Sequence, residues 1–311
     1  MHLGVGVSVG RIYMIDLNIG QVAAFITAIC WTITPIAFEA AGKRVGSLSV
    51  NFIRLIIAFL LIGIFTFFTR GMFLPLDASG SMWLWLSISG VIGFVLGDLF
   101  LFEAFVLIGS RISLLIMAVV PPITALIGFF ILGERLTVLD LLGMFITMGG
   151  ISLVILVKGS KEKKVTLSHP IKGISYAFIG AIGQAVGMVF SKLGMGDYNA
   201  FAATQIRIIA ATVAFAIIIT LRKNWSKLSL ALKDFKALKY ISIGSFFGPF
   251  IGVSFSLLAV QYIPTGVAST ISSISRILII PVSILAFREK VSAKEILGAT
   301  ITIGGVALLF L

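Results

Sequence analysis

The sequence predicts an all-α polytopic membrane protein of ten transmembrane helices arranged as two inverted five-helix repeats. Three observations carry this. Across 311 residues, 59% are hydrophobic and only 12% are charged, with a mean hydropathy of +1.15, more apolar surface than one soluble core can hide. Runs long enough to cross about 30 Å of hydrocarbon, roughly 20 residues of helix each, recur from end to end. The second half of the chain also repeats the helix-end pattern of the first.

The ten expected crossings are residues 18–38, 48–69, 83–107, 112–132, 139–157, 172–192, 200–221, 238–259, 264–287 and 294–311. Helix is preferred to strand because these runs are too long for barrel strands and lack period-two alternation. Residues 1–17 form an N-terminal tail without the charged start and small-residue cleavage site of a signal peptide. Residues 158–171 form a basic linker between a first repeat at 18–157 and a second at 172–311.

Seventeen of the 24 lysines and arginines fall in odd-numbered loops, chiefly Lys158 to Lys172 and Arg222 to Lys239, against four in even-numbered loops and tail. The positive-inside rule then puts the odd loops in the cytoplasm and both termini outside. These basic loops read as solvated flanks that hold topology, with acidic-lipid recognition as the sharper alternative. Nucleic-acid binding is not expected, because no aromatic interleaving accompanies the charge.

In the repeat, Gly133-Glu134-Arg135-Leu136-Thr137, Leu142-Gly143, Thr147 and Gly149-Gly150 match Arg288-Glu289-Lys290-Val291-Ser292, Leu297-Gly298, Thr302 and Gly304-Gly305. The offset is 155 there and 153 earlier, where Gly20 pairs with Gly173, Glu39 with Lys192 and Arg54 with Arg207. Five crossings per repeat is an odd number, so the second copy enters the membrane with opposite polarity. Inverted repeats are the physical basis of alternating access.

Cys30 is the only cysteine, which excludes an internal disulfide, and His2 and His169 stand apart, so no metal site and no cofactor are expected. The Gly150 to Lys158 stretch lacks a P-loop pattern, which leaves nucleotide-driven pumping without support. Enzyme chemistry would need a convergent nucleophile and base, and the crossings carry no histidine. A channel would need a filter or charged ring, and none is visible.

The polar residues inside the crossings are the candidate path. In the first, Trp31 and Pro35 share a face; proline removes a backbone donor and bends the helix, and Thr32 and Thr34 can resatisfy it. In the third, Asp98 and Glu103 are carboxylates at membrane depth and therefore functional hypotheses, with helix-to-helix hydrogen bonding as the bland reading. Asp98 lies four residues from Phe102, setting a carboxylate beside an aromatic wall. Gln184, the repeat counterpart of Trp31, is expected to turn inward. The ninth crossing offers Ser272, Ser273 and Arg276, the arginine either facing a cavity or ion-paired with Glu103 or Asp98. Arg54 and Arg207 are expected to snorkel and anchor. The intramembrane glycines read as packing surfaces, and Glu134 and Glu289 as interfacial anchors.

The two five-helix halves, Trp31 and Pro35, Gly97-Asp98 leading into Ala104, Pro121, and the Glu-then-Gly patterns after the fourth and ninth crossings resemble the EamA branch of the drug/metabolite transporter superfamily. That resemblance implies a ten-helix secondary carrier in the cytoplasmic (inner) membrane that exports amino acids or other small metabolites. It also implies a central cavity between helices one, three, four, six, eight and nine, and cytoplasmic termini, opposite to the charge count. Within it, the expected partners are the bilayer and a small organic solute such as a zwitterionic amino acid, with Arg276 on its carboxylate; proton coupling would run through Glu103 or Asp98, and the chain is read as a monomer. Drug, nucleobase or sugar-phosphate carriage, and a receptor or scaffold role, are the rival readings.

Overall fold

In a chain this apolar, the helices need only be started, stopped and sorted against one another, and short polar residues and glycines do that. The computed structural model describes residues 5–160, 171–278 and 293–310. The Arg288-Glu289-Lys290-Val291-Ser292 half of the duplicated helix end, most of the basic linker, His2, His169 and Leu311 lie outside the described residues.

Helix α1 spans Val5–Val45, α2 Ser47–Arg70, α3 Gly80–Gly90 and α4 Asp98–Ile116, with a π-helical segment, Val91–Gly97, joining the last two. A 3-10 turn at Met117–Val119 leads into α5, Val120–Leu132, and α6 is Val138–Ser160. The second half continues with α7 Ile171–Met195, α8 Ala200–Leu221, the short α9 Trp225–Ala231, α10 Phe235–Ser245 and α11 Val253–Tyr262. Another π segment, Phe246–Gly252, joins α10 to α11; α12 is Thr265–Ser272 and α13 Ala293–Leu308.

Capping explains the boundaries. Ser79, Asn199 and Asp234 accept hydrogen bonds from the first free amides of α3, α8 and α10. Gly71 and Gly133, at φ of 73° and 66°, close α2 and α5 in the left-handed conformation. Six described stretches are long and apolar enough to span a bilayer: Asn18–Val45, Ser47–Arg70, Gly80–Ile108, Ile171–Met195, Ala200–Leu221 and Phe235–Tyr262. Shorter apolar helices cover Met117–Leu132, Val138–Leu153 and Ile296–Leu308. They fall on the expected fourth, fifth and tenth crossings, and the expected ninth is described only to Leu278. The chain is thus an all-α, multi-pass membrane protein.

Its surface is inverted relative to a soluble fold. Phe68, Phe130 and Phe145 are more than 70% exposed, whereas Asn51, Ser89, Thr204 and Gln205 are fully buried. Lipid accepts the rings, and the polar groups find partners inside: Ser89 with Ser191 at 2.7 Å, and Gln205 with the Phe73 carbonyl at 2.8 Å. The first helix of each half packs on the third helical span of the other, α1 along α10 and α11, α7 along α3 and α4. Helix α6 lies against α13, where a Cβ on Gly150 would sit 2.6 Å from the Thr302 amide nitrogen, as expected of small residues at a close helix contact. Gly149 and Gly304 instead face open space.

Candidate functional site

A cavity of about 140 Å³ opens at the centre of this bundle. Trp31, Thr34, Pro35 and Phe38 on α1 form one wall, and Gly93, Phe94, Asp98 and Phe102 on the first π segment and α4 another. Gln184 and Met188 of α7 face Gly248, Pro249 and Ser256 of the second π segment and α11, while Ser269, Ser272, Ser273, Ser275 and Arg276 close the remaining side. A cavity of about this size holds a benzene-sized molecule when apolar, so the scale is that of a small metabolite.

The two π segments begin 155 residues apart, the offset of the duplicated helix ends, and both border the cavity. Pro249 removes one amide donor inside the second. Their glycines admit side chains from the opposite half: a Cβ on Gly93 would lie 3.0 Å from Arg207 Nη2, and one on Gly252 would lie 2.8 Å from Trp31 Nε1. Single-turn π insertions are concentrated at functional sites because they re-aim side chains and free carbonyls. The α12 helix also stops at the cavity: after Ser272 the backbone makes tight i to i+3 bonds, Ile274 to Ile271, Arg276 to Ser273 and Ile277 to Ile274. Interrupted helices of this kind build solute sites in membrane proteins.

Charge in the cavity is unequal. Asp98 receives Arg54 Nη2 at 2.5 Å on one carboxylate oxygen and Gln184 Nε2 on the other, so both its oxygens are engaged. The Arg54 guanidinium also lies 4.7 Å from the Phe102 ring centre and 5.4 Å from that of Phe38, in cation-π range. Arg207, 5% exposed, sits 4.8 Å over Phe94; it feels the Asp98 charge at a distance, and its Nε is buried without a partner. Arg276 donates from Nη2 to the Met117 carbonyl at 3.0 Å and leaves Nε and Nη1 unpaired.

Of the residues singled out from sequence, Trp31, Pro35, Asp98, Phe102, Gln184, Ser272, Ser273 and Arg276 surround this cavity. Thr32 and Glu103 do not. Thr32 bonds back to the Ala28 carbonyl at 2.9 Å, satisfying its own helix, and Glu103 accepts from Ser47 at the α1–α2 end. Arg276 is not ion-paired with either acid, because Asp98 is saturated by α2 and α7. The reading of Arg54 and Arg207 as snorkelling anchors is corrected: both are buried and both line the cavity. The signal was available, since arginines repeated in register inside apolar segments are functional candidates by default.

One end of the bundle is tied across the halves. Lys192 meets Glu134 at 2.7 Å and the Ile263 carbonyl at 2.9 Å, and Glu134 caps α12 through the Thr265 amide and hydroxyl. Nearby, Asp77 takes Arg70 at 2.6 Å and the Tyr198 hydroxyl at 2.7 Å. The Tyr198 hydrogen bond, with Arg70 adding to it, holds the Asp77 carboxyl below its usual range. The other end carries exposed pairs, Arg44 with Asp234 and Lys43 with Glu39.

No cluster of histidine, cysteine and acidic residues suited to a metal exists among the described residues. A model of the EamA-like transporter family matches the chain twice, over residues 18–156 and 171–311. No curated protein matches the sequence. A crystal structure of another protein aligns with a TM-score of 0.71 over 93% of this chain and 95% of its own, at 16% identity, a likeness of fold.

Proposed function

The chain belongs to the EamA-like transporter family and is a multi-pass membrane transporter, not an enzyme; from that premise we propose that it carries a small carboxylate-bearing metabolite, amino acids included, by alternating access. The observation that carries this reading is the set of residues from both halves around one cavity, with Arg54, Arg207 and Arg276 in its lining. Two repeats of five crossings, 18–157 and 172–311, joined by the linker 158–171, would exchange conformations about this cavity. The reciprocal packing of α1 on α10–α11 and α7 on α3–α4, and the paired π segments at one offset, support that symmetry.

In this reading Trp31, Pro35, Phe102, Gln184, Ser272 and Ser273 shape the site, the Arg54–Asp98 pair organises it, and Arg276 with Arg207 meets the substrate carboxylate as charge-assisted donors. The Lys192–Glu134–Thr265 and Arg70–Asp77–Tyr198 ties support a conformation closed at the even-loop end. A monomer in the cytoplasmic membrane, working in export, is the state the resemblance implies. Proton coupling through Asp98 would require release of Arg54 during the cycle.

Counterflow with purified protein in liposomes tests the carrier reading, using a panel of amino acids, organic anions and amines with and without a pH gradient. Exchange above that of protein-free liposomes is expected for at least one member and is expected to fall in Trp31→Ala. No exchange for any class would refute it. Labelling of Ser79→Cys and Ser160→Cys from each side fixes which loops face the cytoplasm.

A further inference from the structure

Among the described residues, the cavity lining carries three guanidinium groups and one carboxylate, and that carboxylate is already engaged inside the protein. Asp98 neutralises Arg54 and gives its second oxygen to Gln184. That leaves Arg207 and Arg276, both at the cavity wall, without an ion-paired carboxylate among the described residues, Arg207 feeling Asp98 only at a distance. A buried guanidinium, Arg207, and a half-buried one, Arg276, each with unmade hydrogen bonds, are costly in a membrane interior unless something of opposite charge offsets them.

A zwitterion completes them poorly. Its carboxylate fits a guanidinium, but its ammonium adds a further positive charge beside Arg207 and Arg276, and the carboxylate on the wall is already engaged by Arg54 and Gln184. The hydroxyls of Ser269, Ser272, Ser273 and Ser275 are hydrogen-bonding groups without charge. Two separate cationic side chains in the lining of a cavity of about 140 Å³ match a compact solute with two negative charges.

We propose that the cavity selects small organic dianions, dicarboxylates or phosphate monoesters, over zwitterions, with Arg207 and Arg276 as the two anion anchors. This rests on the carrier reading above and narrows its substrate class.

The test uses the full chain in liposomes and four-carbon probes of nearly one shape: succinate as dianion, butyrate as monoanion and 4-aminobutyrate as zwitterion, with methyl phosphate as the phosphoryl arm. Counterflow is read for each probe, alongside the thermal stabilisation each gives the detergent-purified protein. Succinate or methyl phosphate is expected to exceed 4-aminobutyrate by about tenfold or more, the scale of one additional charge-assisted contact. Arg207→Gln and Arg276→Gln are each expected to erase that margin, while Arg276→Lys, which keeps the charge, retains most of it. Preference for 4-aminobutyrate, or for leucine in the same assay, overturns the dianion assignment and leaves the carrier intact. A dianion margin unchanged in both glutamine variants overturns the anchor assignment. Absence of exchange for every probe and every member of the wider panel removes the carrier reading itself.

Discussion

Replacing Asp98 by asparagine should destabilise the protein, and replacing Arg54 as well should recover most of the loss. Both side chains of this pair are buried, 4% and 7% exposed, and meet at 2.5 Å. Removing one partner of such a pair leaves an uncompensated buried charge, at a cost of about 3–5 kcal/mol. Here the lower end applies, because the Phe38, Phe94 and Phe102 rings still surround the guanidinium and return about 0.5–2 kcal/mol. Taking about 3 kcal/mol, and about 2 °C per kcal/mol for a chain of this size, Asp98→Asn should lower the unfolding midpoint by roughly 6 °C. Arg54→Gln, which leaves Asp98 with Gln184 and the more distant Arg207 charge, should lose a comparable amount. In the double variant two neutral amides replace two charges, and its loss should be smaller than that of the worse single variant, a coupling of about 2–3 kcal/mol. Thermal unfolding of the four detergent-purified proteins measures it. Additive losses would show that Arg54 and Asp98 do not depend on each other, and the account of a neutral pair beside two free cations would fall with them.

Gly93→Ala and Gly252→Ala each place a methyl group against a cavity side chain, Arg207 or Trp31, at or under 3.0 Å. Overpacking of this kind costs about 1–3 kcal/mol, and where it is met by displacing the guanidinium or indole, counterflow should weaken roughly 5- to 150-fold, read beside Gly80→Ala, a position facing open space. The Asp77 carboxyl is held below its usual range by Tyr198 and Arg70, so its contribution to stability is present above the ordinary carboxylate range and is lost as pH falls through the depressed folded value. Midpoints followed from neutral to acid pH should therefore drop in that window, and Asp77→Asn should flatten this part of the profile; an unchanged profile would show that Asp77 carries none of it.

Glu103 and Arg54 mark where sequence reasoning reaches its limit. Both are charged residues inside apolar runs, and both satisfy the same rule that such groups are retained for a reason. Periodicity says which face a residue shares, but not what lies opposite that face. Glu103 turns to Ser47 at a helix junction, and Arg54 turns inward because the Asp98 carboxylate and the Phe38, Phe94 and Phe102 rings offer a better environment than the interface. The π segments were hidden for a related reason: Gly93, Gly97, Gly248, Pro249 and Gly252 are visible in the sequence, yet an additional residue per turn is decided by the side chains that must fit beside them.

By itself the sequence determined that the chain lives in lipid, that it is helical, and that its second half repeats its first, because hydropathy, run length and self-similarity are properties of residues in order. Tertiary structure alone decided which charges cancel. Arg54 and Asp98 are 44 residues apart and Gln184 a further 86 from Asp98, so the imbalance left on Arg207 and Arg276 exists only once the two halves have packed. Electrostatic energy depends on distance in space, and distance in space is what a linear sequence leaves unstated.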